Sequence, residues 1–303
     1  MSDIKLFQVS GNTVIQVEGQ SVAVEKSLQT LIEKHLEIFL GVRLLESEYR
    51  TGKTHGGRID TLGIDENDSP VIIEYKRSLN ENVINQGLYY LDWLLDHKGE
   101  FTLLAQKRVE PKITGDDIDW QGARLLCIAG EFTKFDEYAV QQIDRNIELI
   151  RYRSYGKELL LFELVNASTG TIIEPPIGPK GGKTNESTVT DKMAKASPEV
   201  KDRYESLRAF VQALGDDVQI KTLKHYIAFK RIKNFASVEI HPQDRNIIVF
   251  VKADFNNVHL EPGFTRDVRN IGHFGTGDLE ITIKSDDDLE RAKPLIVKSY
   301  EEN

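Results

Sequence analysis

The sequence predicts an α/β protein of two domains, a mixed sheet flanked by helices followed by a smaller α+β domain. Three observations predict it. The chain of 303 residues exceeds the usual domain of about 100 to 150 residues, so each half is able to bury its own core. Residues 166–198 (NASTGTIIEPPIGPKGGKTNESTVTDKMAKASP) are rich in Pro, Gly, Ser, Thr and Asn with little apolar periodicity, which is the composition of a linker. Upstream of it, helical and strand-like apolar patterns succeed one another in the order αββαβαββ, an arrangement that packs as a sheet with helices against it. The expected organisation is a first domain over 1–165, a linker over 166–198 and a second domain over 199–303.

Taken in order, residues 4 to 18 suggest one or two short strands. Glu25 to Leu40 carries Leu28, Leu31, Ile32, Leu36, Phe39 and Leu40 at the spacing of an amphipathic helix. A polar loop follows around Thr51 to Gly57. Arg58 to Ile64 and Val71 to Lys76 read as two strands joined by the turn-rich DENDSP, a hairpin. A helix is expected from about Asn80 to Asp96, buried strands over Phe101 to Gln106 and Arg124 to Ala129, a helix over Asp136 to Ile150, and a closing hairpin over Ile150 to Val165 that turns at Tyr155-Gly156. Beyond the linker the pattern predicts a helix over Glu199 to Leu214. Strands are expected near Tyr226 to Phe229, Ala236 to Ile240, Ile247 to Val251 and Leu279 to Ile283, and a final helix over Asp287 to Tyr300.

A hydrophobic content of 40% with 29% charged residues is that of a soluble globular protein. There is no run of about 18 apolar residues, and MSDIKLFQVSGN lacks the basic-then-apolar order of a secretory signal, so a cytoplasmic location without membrane association is expected. The single cysteine, Cys127, excludes an intrachain disulfide and a thiolate metal cluster. A net charge of -9 argues against nonspecific coating of nucleic acid, which needs clustered Lys and Arg. The acidity is concentrated in residues 1–165, with 19 Lys and Arg against 27 Asp and Glu, whereas residues 201–303 carry 16 against 17.

The chemistry-bearing residues are in the predicted hairpin. In a strand alternate residues share a face, so Glu74 points with Ile72 and Lys76, and Asp60 with Leu62 and Ile64. Two acids and a lysine then converge. Charged residues in the apolar run VIIEYK cost several kcal/mol unless paired or bound to a cation. Paired carboxylates suit a hard cation such as Mg²⁺. The following helix places Gln86 and Tyr90 at i and i+4 on one face. Arg58 and Arg77 flank the core, and Lys53 and His55 are on the loop that enters it.

GRIDTLGIDENDSPVIIEYKR followed by NQGLYYL resembles the PD-(D/E)XK nuclease superfamily, in particular its NucS-like endonuclease branch, over roughly residues 22 to 165. The resemblance implies a restriction-endonuclease-like sheet in which Asp60, Glu74 and the Tyr75 carbonyl hold Mg²⁺ or Mn²⁺. It implies that Lys76 assists the attacking water and that Gln86 and Tyr90 form the Q-x-x-x-Y that follows the core. It further implies an additional acid on the first helix, Glu25 or Glu33, a DNA substrate and a homodimer. Ile59 stands where some members have Pro. The expected function is therefore a metal-dependent endonuclease acting on DNA, suited to prokaryotic defence or DNA repair. RNA as substrate, and a binding protein that keeps the fold without turnover, are the alternatives.

Other signals fail. GPKGGKT at 178–184 would need Gly at 177 to be a phosphate-binding loop, and Ile177 stands there. In the second half GHFGTGDLEI, YIAFKRIKNFASVEI and LIVKSYEE resemble an uncharacterised C-terminal domain family, which implies no activity. Gly272, Gly275 and Gly277 fit either close approach to a phosphate or tight turns. Lys221, Lys224, His225, Lys230, Arg231 and Lys233, interleaved with Tyr226 and Phe229, have the composition of a nucleic-acid surface. Lys224, Lys230 and Arg231 are its candidate contacts, with dimerisation or partner docking as the other use of this domain.

Overall fold

Two compact units, residues 1–176 and 177–303, divide the chain in the computed structural model. It describes residues 4–20, 26–52, 56–76, 83–110, 112–156, 158–168, 187–256 and 258–303, the side chain of Lys76 excepted.

In the first unit, β1 (Leu6–Ser10) and β2 (Thr13–Val17) form a separate hairpin. There follow β3 (Gly19–Gln20), α1 (Lys26–Lys34), α2 (Leu36–Leu40), β4 (Val42–Arg50), β5 (Arg58–Asp65) and β6 (Pro70–Lys76). The unit continues with α3 (Val83–Asp96), α4 (Lys98–Arg108), β7 (Arg124–Ala129), α5 (Lys134–Gln141), β8 (Ile147–Tyr155) and β9 (Leu159–Ser168). Seven strands make one mixed sheet in the order β3-β8-β7-β6-β5-β4, with β9 also on β8. β6, β7 and β8 are parallel, and the remaining pairs are antiparallel. Central parallel strands are covered on both faces, which is why RLLCIA of β7 is buried at every position. On one face Ile72, Leu125, Cys127 and Leu149 share a core with Trp93 and Leu94 of α3 and Phe101 of α4. Helix α3 lies very close to β7 at Gly87, where an added Cβ would meet Leu125 Cδ1 at 2.4 Å.

Three expectations are corrected, and one strand was missed. Phe101 to Gln106 belongs to helix α4, because Phe101 and Ala105 are buried one helical turn apart, and a short apolar run does not by itself separate strand from helix. The helix expected over Asp136 to Ile150 stops at Gln141, and Ile147 begins β8, held between β7 and β9. Val140, Ile143, Ile147 and Ile150 have helical spacing, but pairing in the sheet overrides it. The helix expected over Glu25 to Leu40 is interrupted at His35, and Gly41, at φ 63°, closes α2. Strand β4 was not anticipated, because the charges of VRLLESEYR mask its pattern, as is common on a sheet edge.

In the second unit α6 (Val189–Lys195) and α7 (Pro198–Gln212) precede β10 (Gln219–Thr222), β11 (Ile227–Lys230), β12 (Asn234–His241) and β13 (Asn246–Val251). β14 (Thr265–Asp267), β15 (Leu279–Ile283) and α8 (Asp286–Glu302) complete it. The antiparallel sheet runs β10-β11-β12-β13-β15-β14, and one face packs on helices through Val200, Leu207, Val238, Val249, Ile281 and Ile296. The edge strands β10 and β14 are too short to be read from alternation. β9 extends to Ser168, and α6, whose Val189 and Met193 join this core, falls inside the expected linker, so both ends of 166–198 are structured. Residues 169–186, with the GPKGGKT segment, lie outside the described residues. No helix among the described residues is long and apolar enough to cross a membrane.

Candidate active site

The hairpin of β5 and β6 is pinned at its turn, where the Asp65 carboxylate accepts the backbone N–H groups of Asn67 and Ser69. From there the strands pair from Ile64 with Pro70 to Thr61 with Ile73. Beyond that point β5 continues on β4 and β6 continues on β7, so the sheet forks. Side chains take over in the fork. The Asp60 N–H donates to Glu74 Oε1 at 3.1 Å, and the Tyr75 N–H donates to Asp60 Oδ2 at 3.2 Å. Two carboxylates are thus brought against one another across a break in the ladder. Glu74 is 1% exposed. Burial, and then the negative charge of Asp60, push its carboxyl up to about 9.

A cleft of about 700 Å³ opens beside the fork, lined by Arg50, Gly52, Gly56, Gly57, Arg58 and Asp60 from the strands and their loop, and by Gln86 and Tyr90 from α3. The loop is clamped at its ends: the Thr51 N–H donates to Gly57 O, and the Gly57 N–H donates to the Thr51 hydroxyl. A Cβ on Gly57 would stand 2.3 Å from Tyr90 Cε1, so the residue entering β5 must be glycine for α3 to lie this close. The Tyr90 hydroxyl accepts the Arg58 N–H at 3.1 Å and the Gln86 side-chain amide at 3.2 Å. Tyr90 is 6% exposed, so it braces the start of β5 rather than offering its ring to a ligand. Gln86 is exposed at the cleft.

Arg58 is paired with Glu48, Nε to Oε2 at 2.6 Å, and Glu48 also receives Lys26 Nζ at 2.8 Å. The Lys26 hydrogen bond is the largest reason why the Glu48 carboxyl is held below its ordinary range despite partial burial. Register on β4 and β5, Ser47 with Thr61 and Tyr49 with Ile59, sets Glu48 opposite Asp60. Strict alternation breaks here: Ser47 and Thr61 donate to Glu33, yet Tyr49 packs on Trp93 of α3. Glu48, at φ 56°, supplies the twist. Glu48 was missed by sequence reasoning. An acid in the segment between the first helix and the hairpin, with an arginine at the hairpin's start, was the available signal.

Glu33 is not brought to the pair. Its carboxylate accepts from Thr61, Ser47 and Gln29, and Thr61 also meets the Tyr75 hydroxyl, so Glu33 is on the face opposite Glu74. The Tyr75 side chain points the same way, leaving only its main chain on the side of the carboxylates. Glu25, Lys53, His55 and Arg77 lie outside the described residues, as does the side chain of Lys76, whose backbone pairs with Ala129 at the end of β6.

In the second unit the basic stretch does not form one surface. Lys230 is 3% exposed. Arg231 bonds Asp217 at 2.7 Å and lies over the Tyr300 ring, while Lys224 is exposed on the loop before β11. Strand alternation and the irregularity between Phe229 and Lys230 separate them. The glycine loop is a set of tight turns: Gly275 has φ 81°, and the N–H groups of Phe274 and Thr276 donate to Glu239 and Ser237. Those amides are therefore spent on the sheet beneath, not held open for a phosphate.

Residues 189–303 match a family described as "Domain of unknown function (DUF5655)". The chain is 28% identical to an uncharacterized protein of Haemophilus influenzae over 310 aligned residues, covering 99% of this chain and 100% of the relative. Both units therefore have counterparts in that single relative. No solved structure matches.

Proposed function

We propose that the first unit is a metal-dependent endonuclease that hydrolyses phosphodiester bonds of DNA, in the manner of the PD-(D/E)XK superfamily that its GRID…EYKR sequence resembles. The observation that carries this reading is the facing pair Asp60 and Glu74 in a fork of the sheet beside an open cleft. Their oxygen donors, with the Tyr75 carbonyl, fit a hard divalent cation. A buried carboxyl beside a second carboxylate is stable only when it holds a proton or faces a cation. No group of three or more His, Cys, Asp or Glu suited to a metal occurs among the described residues; a cation held by two carboxylates and a carbonyl would have to keep several waters, as Mg²⁺ does. When bound, such an ion supplies Lewis acidity to a phosphate oxygen and acidifies a water.

The protein's own residues do the rest. Asp60 and Glu74 fix each other's position through backbone amides, so neither carboxylate swings. Tyr90 holds the backbone at Arg58 and orients the Gln86 amide toward the cleft, where it can hydrogen-bond a phosphate oxygen or the attacking water. Lys76, two residues after Glu74 at the end of β6, is assigned by the resemblance to assist that water. Glu48 balances Arg58, so the arginine grips phosphate only by exchanging partners.

One observation favours a second reading. Both carboxylates accept backbone N–H groups, which is what a purely structural repair of a broken ladder would also look like, and a nucleic-acid-binding protein without turnover would follow. Incubating the purified full-length protein with single-stranded, duplex, mismatched and modified DNA, and with RNA, in Mg²⁺ or Mn²⁺, separates the two. Cleavage by the wild type that is lost in Glu74→Ala is expected. Intact substrate throughout would favour the binding reading, and cutting of RNA alone would reassign the substrate.

A further inference from the structure

A cavity of the second unit lies at the end of the sheet where the β12–β13 hairpin turns. There His241, at the end of β12, pairs with Asn246, at the start of β13. Ile227 of β11 pairs with Val238, so the loop before β11 reaches the same end. Helix α6 is fixed beside it: the Val189 N–H donates to Lys224 O at 2.8 Å, and Val189 and Met193 enter the core. The cavity has a volume of about 440 Å³ and is lined by Ser187, Lys192 and Lys195 from α6 and the residues before it, and by Ile240, His241 and Pro242 from the hairpin. Small-molecule sites occupy roughly 300 to 1,000 Å³.

Its polar groups lack counterparts. Lys192 and Lys195, three residues apart, share a face of α6, and neither has an ion pair among the described residues. Lys192 is nevertheless half-buried. Asp191, the acid of that helix, is engaged in the cap, where it accepts the Thr188 N–H and hydroxyl. The Ser187 Oγ is shielded from solvent and has no hydrogen-bond partner, an arrangement that is costly unless something bonds it. His241 meets Glu239 through Nε2 at 3.0 Å, and its Nδ1 has no hydrogen bond among the described residues. Asp244, exposed in the hairpin turn, is the one carboxylate of the lining. Two lysines against one aspartate leave the lining positive, in a half of the chain that is otherwise balanced, with 16 basic and 17 acidic residues over 201–303. The fold does not need these cations, since α6 is held by its apolar residues, its cap and its bond to Lys224.

We propose that this pocket binds a small molecule through a phosphate monoester, with Lys192 and Lys195 as counter-ions, Ser187 and His241 as hydrogen-bonding groups, and Ile240 and Pro242 against its apolar part. A phosphate monoester carries between about 1.5 and 2 negative charges at neutral pH and three strong acceptor oxygens. It can therefore take both ammonium groups and the hydroxyl together, whereas a carboxylate offers two oxygens and one charge. A nucleic-acid backbone is disfavoured, because Lys230 is buried and Arg231 is paired, so no basic track leads away from the pocket. The site does not depend on the chemistry proposed for the first unit.

Isothermal titration calorimetry of the full-length protein in EDTA tests it, with adenosine monophosphate, inorganic phosphate, adenosine, succinate and an oligodeoxynucleotide without terminal phosphates as probes. Saturable binding of adenosine monophosphate or phosphate is expected, with adenosine and succinate about 10-fold weaker or worse. Lys192→Ala and Lys195→Ala should each weaken it by about 10-fold, Ser187→Ala by a smaller factor, and Lys192→Arg should retain most of it. Acetylation read by mass spectrometry should show Lys192 and Lys195 protected by the phosphate probe. Urea midpoints close to wild type establish that the variants fold. Absence of saturable binding of both phosphate probes at millimolar concentration would overturn the site. So would affinity unchanged in the lysine variants, adenosine or succinate binding as tightly, or the oligodeoxynucleotide binding more tightly than the monophosphate.

Discussion

Replacing Glu74 by glutamine in metal-free protein should change how stability responds to pH. The carboxyl is 1% exposed, and burial, with Asp60 second, raises it from its ordinary 4.5 to about 9. A proton held more tightly by the folded state contributes stability that is fully present below pH 4.5 and is lost as pH rises through 9. Each pH unit inside that window removes about 1.4 kcal/mol, so going from about pH 5 to about pH 7 removes about 3 kcal/mol. Glutamine does not titrate, and the other groups cancel in the comparison. The stability of Glu74→Gln relative to wild type should therefore rise by about 3 kcal/mol over those two units, read from urea unfolding in EDTA at half-unit steps. Parallel profiles would refute the reasoning, since they would mean that the Glu74 carboxyl is already ionised and compensated in the folded protein. Added Mg²⁺ at neutral pH should then stabilise the wild type more than the variant.

Tyr90→Phe removes the acceptor of the Arg58 N–H; a loss of about 1–3 kcal/mol in urea is expected, with cleavage falling further than substrate affinity. Gly87→Ala forces a methyl to within 2.4 Å of Leu125 Cδ1, so overpacking of about 1–3 kcal/mol should exceed the roughly 1 kcal/mol gained from helix propensity. Combining it with Leu125→Ala should cost less than the sum of the single changes, and strict additivity would remove the packing argument. Arg124, 4% exposed, sits between Asp65 and Glu148, and Arg124→Met should destabilise by about 3–5 kcal/mol because it leaves two buried acids without their cation. A calorimetric loss well below that would show that the acids are protonated or hydrated there.

The elements that position the candidate site were legible where local pattern and tertiary demand agree. VIIEYK reads as a buried strand because central strands are apolar on both faces, and a charged pair inside it marks the place where a ladder stops being ordinary. Asp60, Glu74, Gln86 and Tyr90 were identified from spacing and resemblance, and the fold assembles the first two across a fork and the last two along the same cleft. Glu33 was not separable from a site acid by sequence, because which face of the sheet α1 covers depends on contacts with Ser47 and Thr61 that no local pattern encodes. FTLLAQ and the stretch from Asp136 to Ile150 failed for the same reason: short apolar runs satisfy both periods, and the neighbour that buries them chooses.

The basic stretch of the second half looked continuous along the chain. In the sheet, alternation and a bulge bury Lys230 and hand Arg231 to Asp217 and Tyr300. The sequence by itself determined that there would be two units, a hairpin bearing two acids, and a helix bearing Gln86 and Tyr90 beside it. Only the tertiary structure decided that the hairpin's ladder breaks at the acids, that Glu48 stands opposite Asp60, and that Glu33 is on the other face of the sheet. Those relations join residues far apart in the chain, and they are set by strand register and parallel crossovers, quantities that depend on which surfaces bury each other.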